Sequence, residues 1–515
     1  MSDAGNGHMV MEAGSMTIAH PTNGDETRYP TRIGNFHKGL PHDEFGEVNA
    51  IAYQSLLDAL NSGLPATFEA IKLGLGRKLT DPQAGLATDV EGPNPHNLTM
   101  LTPPTLSSAQ EAAEAVELYW IALLRDVPFT EFGSDSLVAQ AVVDLGKLTE
   151  LDPEHNIPLT AKTIFRGFTH GERRGPYISQ FLLKDIRYGA LLISQKAQTV
   201  VPGEDYLTDY GAWLAVQNGY QPGPDQFDGT RRYIRNMRDM GQWVHMDALY
   251  EAYLNACLIL LDMKVPVDAG NPYNPAVLGK SKTQIGFGTF GDPHILSLVT
   301  EVATRALKTV WYQKWFVHRR LRPEEYGGLV HLKLAGLNGT KKNYPIHDDI
   351  LNSKALDKTF TKYGTYLLPQ AFPEGSPTHP SYGAGHATVA GACVTILKAW
   401  FDEQAPVPNP VVPTDDGMEL VPYTRPDAHH LTVGSELNKL AANIAIGRNM
   451  AGVHWRSDYI QSVLLGEQVA LCVLRSQMKD YNEDYSFTFT SFENDQFKIT
   501  KDAITKNGVL YDVQC

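Results

Sequence analysis

The chain has 515 residues, of which 43% are hydrophobic, and its formal net charge is −14 at pH 7. This length predicts about three domains or one large helical fold, and the apolar fraction is ample for a large core. The acidic charge argues against binding of DNA or RNA as the main role. No stretch approaches the ~20 consecutive apolar residues of a membrane-spanning helix, so we expect no membrane partner either.

The cysteines favour a reducing compartment. Cys257, Cys393, Cys472 and Cys515 form no Cys-x-x-Cys pair, which argues against a zinc site and a disulfide scaffold. We interpret them as reduced thiols, with Cys515 in an exposed tail. The N-terminus lacks the basic start and apolar core of a signal peptide. The sequence therefore predicts a cytoplasmic protein.

Helical periodicity dominates the chain. Apolar residues recur at spacings of three and four over residues 47–62, 107–126, 134–149, 178–198 and 241–263. Strand patterns are scarce, with short candidates at 487–490 and near Leu329-Val330. We predict an all-α protein with long loops.

Composition divides the chain into four parts. We predict a flexible tail at residues 1–30, a helical half at 31–264, a second helical half at 265–480 and an extension at 481–515. The loop 264–294, rich in Gly and Pro, is the best boundary between the two halves.

A loop at 377–388 ends at Gly385-His386 and opens into an apolar helical pattern that reaches Trp400. The start of such a helix offers free backbone N–H groups and the positive end of its dipole, which suit an oxyanion. His386 at the rim can exchange protons with a bound ligand. The alternative is a Gly-rich loop with two incidental histidines, His379 and His386.

A second segment contributes two cations. An amphipathic helical pattern extends through Lys314, and Arg322-Pro323 marks its exit because proline disfavours helix at the residue before it. Lys314 and Arg322 are eight residues apart, about two helical turns, so they can point to one side. The alternative is a solvated basic patch.

A third segment combines an arginine, a histidine and an aspartate. Arg448 shares the apolar side of a helical pattern, so its charge points inward and needs an anionic partner. His454 follows six residues later. Asp458, four residues further on, can bind one imidazole nitrogen and so decide which nitrogen faces a ligand. The alternative is a surface His–Asp pair.

Together the three segments supply a site for a tetrahedral oxyanion. Its components are Lys314, Arg322, Arg448, Gly385, His386 and His454. Arginine forks bind two oxygens at once and lysine adds a point charge. His454 can bond to the central atom, and His386 can act as an acid or base.

This arrangement resembles the vanadium-dependent haloperoxidases, which are akin to the vanadate-type acid phosphatases. The matching motifs are Lys314, Arg322-Pro323, Gly383-Ala384-Gly385-His386, Arg448, His454 and Asp458. Their flanking residues look more like the haloperoxidase branch than the phosphatases. The resemblance implies two helix bundles, an active site in the C-terminal bundle and a homodimer.

The resemblance also implies the chemistry. Vanadate would bind His454 and be held by the cations and by the turn at Ala384-Gly385, with Asp458 behind it. Hydrogen peroxide would oxidise chloride or bromide with help from Lys314, and the product would halogenate an electron-rich substrate in natural-product pathways such as meroterpenoid antibiotic biosynthesis. His379 matches a position that is often histidine in bromide-oxidising members.

One position departs from the family pattern. The family has serine where this chain has Ala384, and Gly383 replaces proline. Loss of the serine hydroxyl would cost about 1.5–3 kcal/mol, roughly ten- to hundredfold in vanadate affinity. The alternative is therefore a vanadate-independent isomerase, with phosphate or no cofactor, in which His386 and His454 rearrange an α-hydroxyketone. Lys280 or Lys282 is a further candidate for the site, or else a solvent-facing loop lysine.

Overall fold

The computed structural model describes residues 18–155, 157–277 and 281–515. Its helices are α1 (Asp25–Arg28), α2 (Ala50–Ser62), α3 (Pro65–Phe68), α4 (Ala109–Leu124), α5 (Ser136–Leu145), α6 (Tyr210–Gln217), α7 (Met237–Met246), α8 (Glu251–Asp262), α9 (Asp292–Tyr312), α10 (Pro323–Leu334), α11 (Asp348–Leu351), α12 (Lys354–Tyr363), α13 (Gly385–Trp400), α14 (Val433–Met450) and α15 (Arg456–Ser476). The expectation of a mainly helical protein is confirmed.

The strands are short and antiparallel. They are β1 (Ile186–Tyr188), β2 (Leu191–Ile193), β3 (Ala197–Val200), β4 (Phe227–Arg232), β5 (Val411–Pro413), β6 (Leu420–Pro422), β7 (Ser486–Thr490), β8 (Gln496–Thr500), β9 (Ile504–Lys506) and β10 (Val509–Leu510). β1–β2, β3–β4 and β5–β6 form two-stranded sheets, and the last four strands form one sheet in the order β10-β9-β8-β7. Strand β7 coincides with the predicted strand at 487–490.

Helix α13 lies at the centre of the C-terminal bundle, between α9, α14 and α15. It crosses α15 closely: a Cβ on Gly391 would lie 2.1 Å from the Val463 carbonyl oxygen, and one on Gly466 would lie 2.0 Å from the Thr388 carbonyl oxygen. Only glycine permits this approach of two backbones. The crossing therefore fixes the N-terminal ends of both helices relative to each other.

Three local predictions are wrong. Residues 178–198 form a 3-10 turn and the β1–β2 hairpin, because Gly189 at φ +60° allows the tight turn. The helix predicted at 241–263 is divided into α7 and α8. Leu329-Val330 lies in α10 rather than in a strand, since a short apolar run does not separate helix from strand.

The segment between Lys314 and Arg322 is not a regular helix. Helix α9 ends at Tyr312, a π-helical turn covers Gln313–His318, and Arg319 has a left-handed φ of +42°. Arg322 is the residue that caps α10. The expected spacing of two helical turns is therefore wrong, and the π-helical turn with the left-handed residue Arg319 separates the two cations instead.

The predicted N-terminal tail extends too far. Residues 1–17 lie outside the described residues, but residues 18–30 pack against the rest of the protein. Asp25 is buried, and its Oδ2 accepts the Leu106 backbone N–H at 2.8 Å. His20 Nε2 lies 3.0 Å from the His96 carbonyl oxygen. The remaining domain boundaries stay predictions.

The interpretation of all cysteines as reduced thiols is wrong, because Cys472 and Cys515 form a disulfide. The C-terminus folds back so that the Cys515 carbonyl accepts the Asn94 N–H at 2.9 Å, a contact that local sequence does not reveal. Cys257 and Cys393 are free and buried. The cytoplasmic location, which rested partly on reduced thiols, stays a prediction. None of the helices in the described part of the chain is long and apolar enough to cross a membrane.

Replacing Cys515 with Ser should destabilise the protein. The bond closes a loop of 43 residues, and loop closure of that length reduces the entropy of the unfolded chain by about 4 kcal/mol at 25 °C. Denaturant unfolding of the variant should match that of the wild type treated with a reducing agent. A reducing agent that has no effect on the wild type would contradict this expectation.

Candidate active site

Lys314 is a buried ammonium group held by backbone carbonyls. Nζ donates to the Pro380 oxygen at 2.8 Å and to the Ser381 oxygen at 3.1 Å. An ammonium has three donors, so one N–H remains for a ligand. Burial and the neighbouring Arg322 guanidinium lower the pKa of Lys314 well below its usual range. An anion placed beside it would stabilise the charged form.

Arg322 connects two histidines. Nε donates to the His379 carbonyl at 2.8 Å and Nη2 lies 2.9 Å from His379 Nδ1. Nη1 donates to the Val453 carbonyl at 2.7 Å and lies 2.9 Å from His454 Nε2. A guanidinium can only donate, so His454 Nε2 accepts and carries no proton, whereas His379 Nδ1 also lies 3.2 Å from the Pro380 carbonyl oxygen, which can only accept. Burial lowers the pKa of Arg322 to about 9.

Asp458 orients His454. Its Oδ2 lies 2.8 Å from His454 Nδ1 and accepts the Trp455 backbone N–H at 3.1 Å. A carboxylate only accepts, so Nδ1 carries the ring proton and Nε2 keeps its lone pair. Burial and the neighbouring cations, first Arg322, lower the pKa of His454 well below its usual range. His454 therefore offers a neutral nitrogen on the side of the cations.

Arg448 keeps most of its donors free. Its side chain is buried, and Nη1 donates to the Val244 carbonyl at 2.8 Å. The guanidinium carbon lies 5.6 Å from the centre of the Phe372 ring. Nε is buried without a hydrogen-bond partner, an arrangement that costs free energy until a ligand satisfies it. The charge of Arg448 also contributes to the lowered pKa of Arg322, which shows that the two guanidinium groups act on one region.

The first turn of α13 borders the same region. Gly385 packs so closely that a Cβ there would lie 3.0 Å from the Trp311 ring, and Lys314 Nζ lies 5.4 Å from the centre of that ring. Ala384 precedes the helix, and its N–H donates to Ser462 Oγ at 2.8 Å. The next N–H groups of the turn have no acceptor within the helix, so they remain available to an oxyanion.

His386 is the more accessible histidine. Its side chain is 24% exposed, and Nε2 lies 3.1 Å from Asp247 Oδ1. Because the carboxylate accepts, Nε2 carries a proton and Nδ1 is free to exchange one with a ligand or with water. Asp247 follows α7 and lies three residues after Val244, whose carbonyl holds Arg448.

His379 is buried against Trp311, with the ring centres 4.8 Å apart. Its Nδ1 lies 2.9 Å from Arg322 Nη2, which donates, and 3.2 Å from the Pro380 carbonyl oxygen, which accepts. Burial, with Lys314 and Arg322, lowers the pKa of His379 well below its usual range. The residue is a neutral donor in a positively charged surrounding.

The structure brings the predicted cations and His454 together without a counter-charge. Among the described residues, no Asp or Glu oxygen lies within 4.0 Å of a side-chain nitrogen of Lys314, Arg322 or Arg448. Three buried basic side chains without a carboxylate partner at this distance would be compensated by a bound anion, so the oxyanion site stays a prediction. The chemical role of each residue stays a prediction. Lys280 lies outside the described residues, and Lys282 is exposed in its loop.

Sequence reasoning missed several residues around the site. Asp247, Trp311 and Phe372 contact His386, His379 and Arg448, respectively. None of the three belongs to a motif, and each comes from a different segment. Only the tertiary structure identifies them.

His245 supports the Arg448 side of the site. Its ring stacks on Phe372 with the centres 3.7 Å apart. Nδ1 lies 3.1 Å from Asp225 Oδ2, and Nε2 lies 2.8 Å from Glu374 Oε1. Burial lowers the pKa of His245, but hydrogen bonds to the two carboxylates outweigh it and raise the pKa to about 8. Phe372 therefore lies between two cations at neutral pH.

Replacing His245 with Gln should remove a pH-dependent part of the stability. The pKa of His245 is raised from 6.5 to about 8, so its contribution is fully present below pH 6.5 and is lost as the pH rises through 8. The contribution is at most about 2 kcal/mol. Denaturant unfolding should show a larger difference between wild type and variant at pH 6 than at pH 9. An equal difference at both values would contradict the two ion pairs.

Several known proteins are similar to this chain in sequence. Residues 297–483 match the VCPO second helical-bundle domain. The chain is 38% identical to a vanadium-dependent bromoperoxidase of Corallina officinalis, over 93% of this chain and 92% of that protein. It is 35% identical to a vanadium-dependent bromoperoxidase of Ascophyllum nodosum, over 95% of this chain and 90% of that protein.

A solved structure agrees with these matches. It is the homohexameric second vanadate-dependent bromoperoxidase (AnII) from Ascophyllum nodosum, with a TM-score of 0.90 and 31% identity over 99% of this chain and 91% of that one. The similarity extends over nearly the whole chain and includes the bundle that carries the oxyanion site. The protein therefore belongs to the vanadium-dependent haloperoxidase family and is an enzyme that acts on peroxide.

Proposed function

We propose that this protein holds vanadate beside His454 and uses hydrogen peroxide to oxidise halide, with bromide preferred. The observation that carries the proposal is that three buried basic side chains, without a carboxylate of the described residues within 4.0 Å, surround one neutral imidazole. Arg322 Nη1 lies 2.9 Å from His454 Nε2, and Lys314 and Arg448 are close enough to help lower the pKa of His454. Vanadate is a tetrahedral oxyanion whose charge would compensate these groups. The relatives are bromoperoxidases, which favours bromide.

The donor set fits vanadate. His454 Nε2 would bond to vanadium, the third N–H of Lys314 and the free N–H groups of Arg448 would bind its oxygens, and the turn at Gly385 would add backbone donors. Bound vanadate supplies a Lewis-acidic metal that activates peroxide toward attack by halide. Arg322 Nη1 lies 2.9 Å from His454 Nε2, and this hydrogen bond would break when that nitrogen bonds vanadium, so the freed N–H would bind an oxygen of the anion.

Lys314 and His386 would have different roles in the activation of hydrogen peroxide. The Lys314 ammonium, fixed by the carbonyl oxygens of Pro380 and Ser381, stabilises negative charge on an adjacent oxygen. His386 Nδ1 would accept a proton from incoming peroxide, and the Asp247 carboxylate stabilises the resulting imidazolium. Burial of Lys314 and His379 keeps bulk water away from these groups.

The oxidised halide would halogenate an electron-rich alkene or arene. Natural-product halogenation, with meroterpenoids as the specific class, stays a hypothesis that follows from the resemblance. Competition between a terpenoid alkene and a simple phenol in the presence of bromide and peroxide tests it. Equal rates of bromination for both substrates would refute a dedicated terpenoid substrate.

The isomerase alternative stays open on two observations. Ala384 provides no hydroxyl to the site, and His386 with Asp247 forms an acid–base pair that needs no metal. Metal analysis and intact mass of the purified protein separate the two functions. Stoichiometric vanadium supports the haloperoxidase, whereas an added phosphoryl mass without vanadium supports the alternative.

We also propose that the chain self-associates. The β1–β2 hairpin exposes Leu191 and Leu192, which are 62% and 68% exposed, and apolar patches of this kind mark interfaces. The homodimer stays a prediction, since the matched Ascophyllum protein is homohexameric. Light scattering of the purified protein gives the number of copies, and a monomer at all concentrations would refute self-association.

Bromination of monochlorodimedone tests the proposed activity. With vanadate, peroxide and bromide the wild type should turn over, and Lys314→Met should lose about 10- to 100-fold in vanadate affinity because an ion-paired donor is removed. Lys308→Met, in helix α9 just before the π-helical turn and paired with Asp89 at 2.8 Å on the surface, is the matched control and should behave as the wild type. A wild type without turnover at saturating vanadate would refute the proposal.

Ala384→Ser should strengthen vanadate binding. A hydroxyl at this position would add one hydrogen bond to a charged oxygen and raise the affinity about 10- to 100-fold. Ala390→Ser, a buried position further along α13, is the control for the substitution itself. Equilibrium dialysis with vanadate measures both, and equal affinities for the two variants would show that position 384 does not contact the anion.

A further inference from the structure

Arg320 lies directly behind the active site without lining it. It comes two residues before Arg322, and only 1% of its surface is exposed. Nη1 donates to Ser457 Oγ and to Asp458 Oδ1, both at 2.8 Å. Nη2 forms an ion pair with Glu111. One guanidinium group therefore connects the helix that carries Asp458 with the N-terminal half of the protein.

Helix α4 presents a row of carboxylates to the start of α15. Glu111, Glu114 and Glu117 are three residues apart, so they follow one face of the helix. Glu114 Oε2 accepts the backbone N–H of Ser457 at 3.1 Å and its hydroxyl at 2.8 Å. Glu117 Oε2 accepts from Arg456 Nε at 2.9 Å. The row therefore binds the first two residues of α15, Arg456 and Ser457, while Glu111 pairs with Arg320.

Both carboxylate oxygens of Asp458 accept hydrogen bonds, and their partners differ. Oδ1 accepts from Arg320, while Oδ2 accepts from His454 Nδ1 and from the Trp455 backbone N–H. Without a partner for Oδ1, the carboxylate is free to rotate about its last bond. The bond to Arg320 therefore fixes the plane of the carboxylate and, through it, the plane of the imidazole.

The charges favour this arrangement. Arg320 faces the buried carboxylates of Glu111, Glu114 and Asp458, which raise its pKa although burial opposes the charged form. Burial raises the pKa of Glu111 and of Glu114, and the adjacent Arg320 charge opposes this shift and favours their charged forms. A neutral side chain in place of Arg320 would leave several buried carboxylates without compensation.

We propose that Arg320 is a positioning residue for the oxyanion site: it holds Asp458 so that His454 Nε2 points at the cations, and the carboxylate row of α4 anchors it. The inference rests on the proposed function. The N-terminal half then contributes to anion affinity although none of its residues need touch the anion.

Arg320→Lys tests the proposal in the full chain. Lysine keeps the charge but cannot bridge Asp458, Ser457 and Glu111 at once. We expect its dissociation constant for vanadate, measured by equilibrium dialysis, to rise about 10- to 100-fold, as for other outer partners of metal-binding histidines. The matched control is Arg238→Lys, a buried arginine that bridges Asp126 and Asp205. It should change the affinity less than about twofold at a comparable loss of thermal stability.

A double-mutant cycle separates positioning from general stability. If Arg320 acts through Asp458, Arg320→Lys should weaken vanadate binding by less than about twofold in an Asp458→Asn background. The full additional loss in that background, or an unchanged affinity of the single variant, would overturn the inference. If Arg320→Lys fails to fold, Ser457→Ala is tested instead, because it removes the hydroxyl between Arg320 and Glu114. A vanadate affinity of Ser457→Ala equal to that of the wild type would also contradict the inference.

The same experiment tests the positioning role of Arg320 and the proposed cofactor separately. A wild type that binds vanadate while Arg320→Lys binds it equally well refutes only the positioning role. A wild type that does not bind vanadate refutes the proposed cofactor. The cycle is then repeated with inorganic phosphate, for which we expect the same order of affinities, and a wild type that binds neither anion overturns both proposals.

Discussion

Buried positive charge without a counter-charge is the constraint on which the rest of this structure depends. Lys314, Arg322 and Arg448 are removed from water, yet no carboxylate oxygen of the described residues lies within 4.0 Å of their side-chain nitrogens. The fold instead surrounds them with backbone carbonyls, such as those of Pro380 and Val244. Carbonyls satisfy donors without cancelling charge, so the site keeps its attraction for an anion.

Close packing of two helices fixes the relative positions of residues at this site. Helices α13 and α15 cross in backbone contact at Gly391 and Gly466, and their N-terminal ends carry Gly385 and the Asp458 that binds His454. A shift of one helix would move donors and imidazole relative to each other. The close crossing therefore serves the site as well as the core.

Charge alternates in layers behind the site. Arg322 lies beside His454, Asp458 lies behind the imidazole, Arg320 behind Asp458, and Glu111 behind Arg320. Each layer compensates the one before it, which limits the cost of burying so many ionisable groups. The layers cross from the C-terminal bundle into α4, so the two halves form one functional unit.

The sequence alone determined the features that depend on local spacing and residue type. Helical periodicity predicted a mainly helical protein, and the four-residue step from His454 to Asp458 predicted their contact, because both features repeat within one or two turns of the same segment. The motif residues around Gly385, Arg322 and Arg448 predicted an oxyanion site, since those residue types suit few other ligands, and their resemblance to a known family was confirmed by the comparisons.

Only the tertiary structure decided how distant segments meet. Several features give no periodic pattern in the sequence. They are the π-helical turn at Gln313–His318, the disulfide of Cys472 with Cys515, and the contacts of Arg320 and Asp247. Each depends on a partner in another segment of the chain. A local sequence pattern indicates that a side chain is buried, but it does not show which residues pack against it.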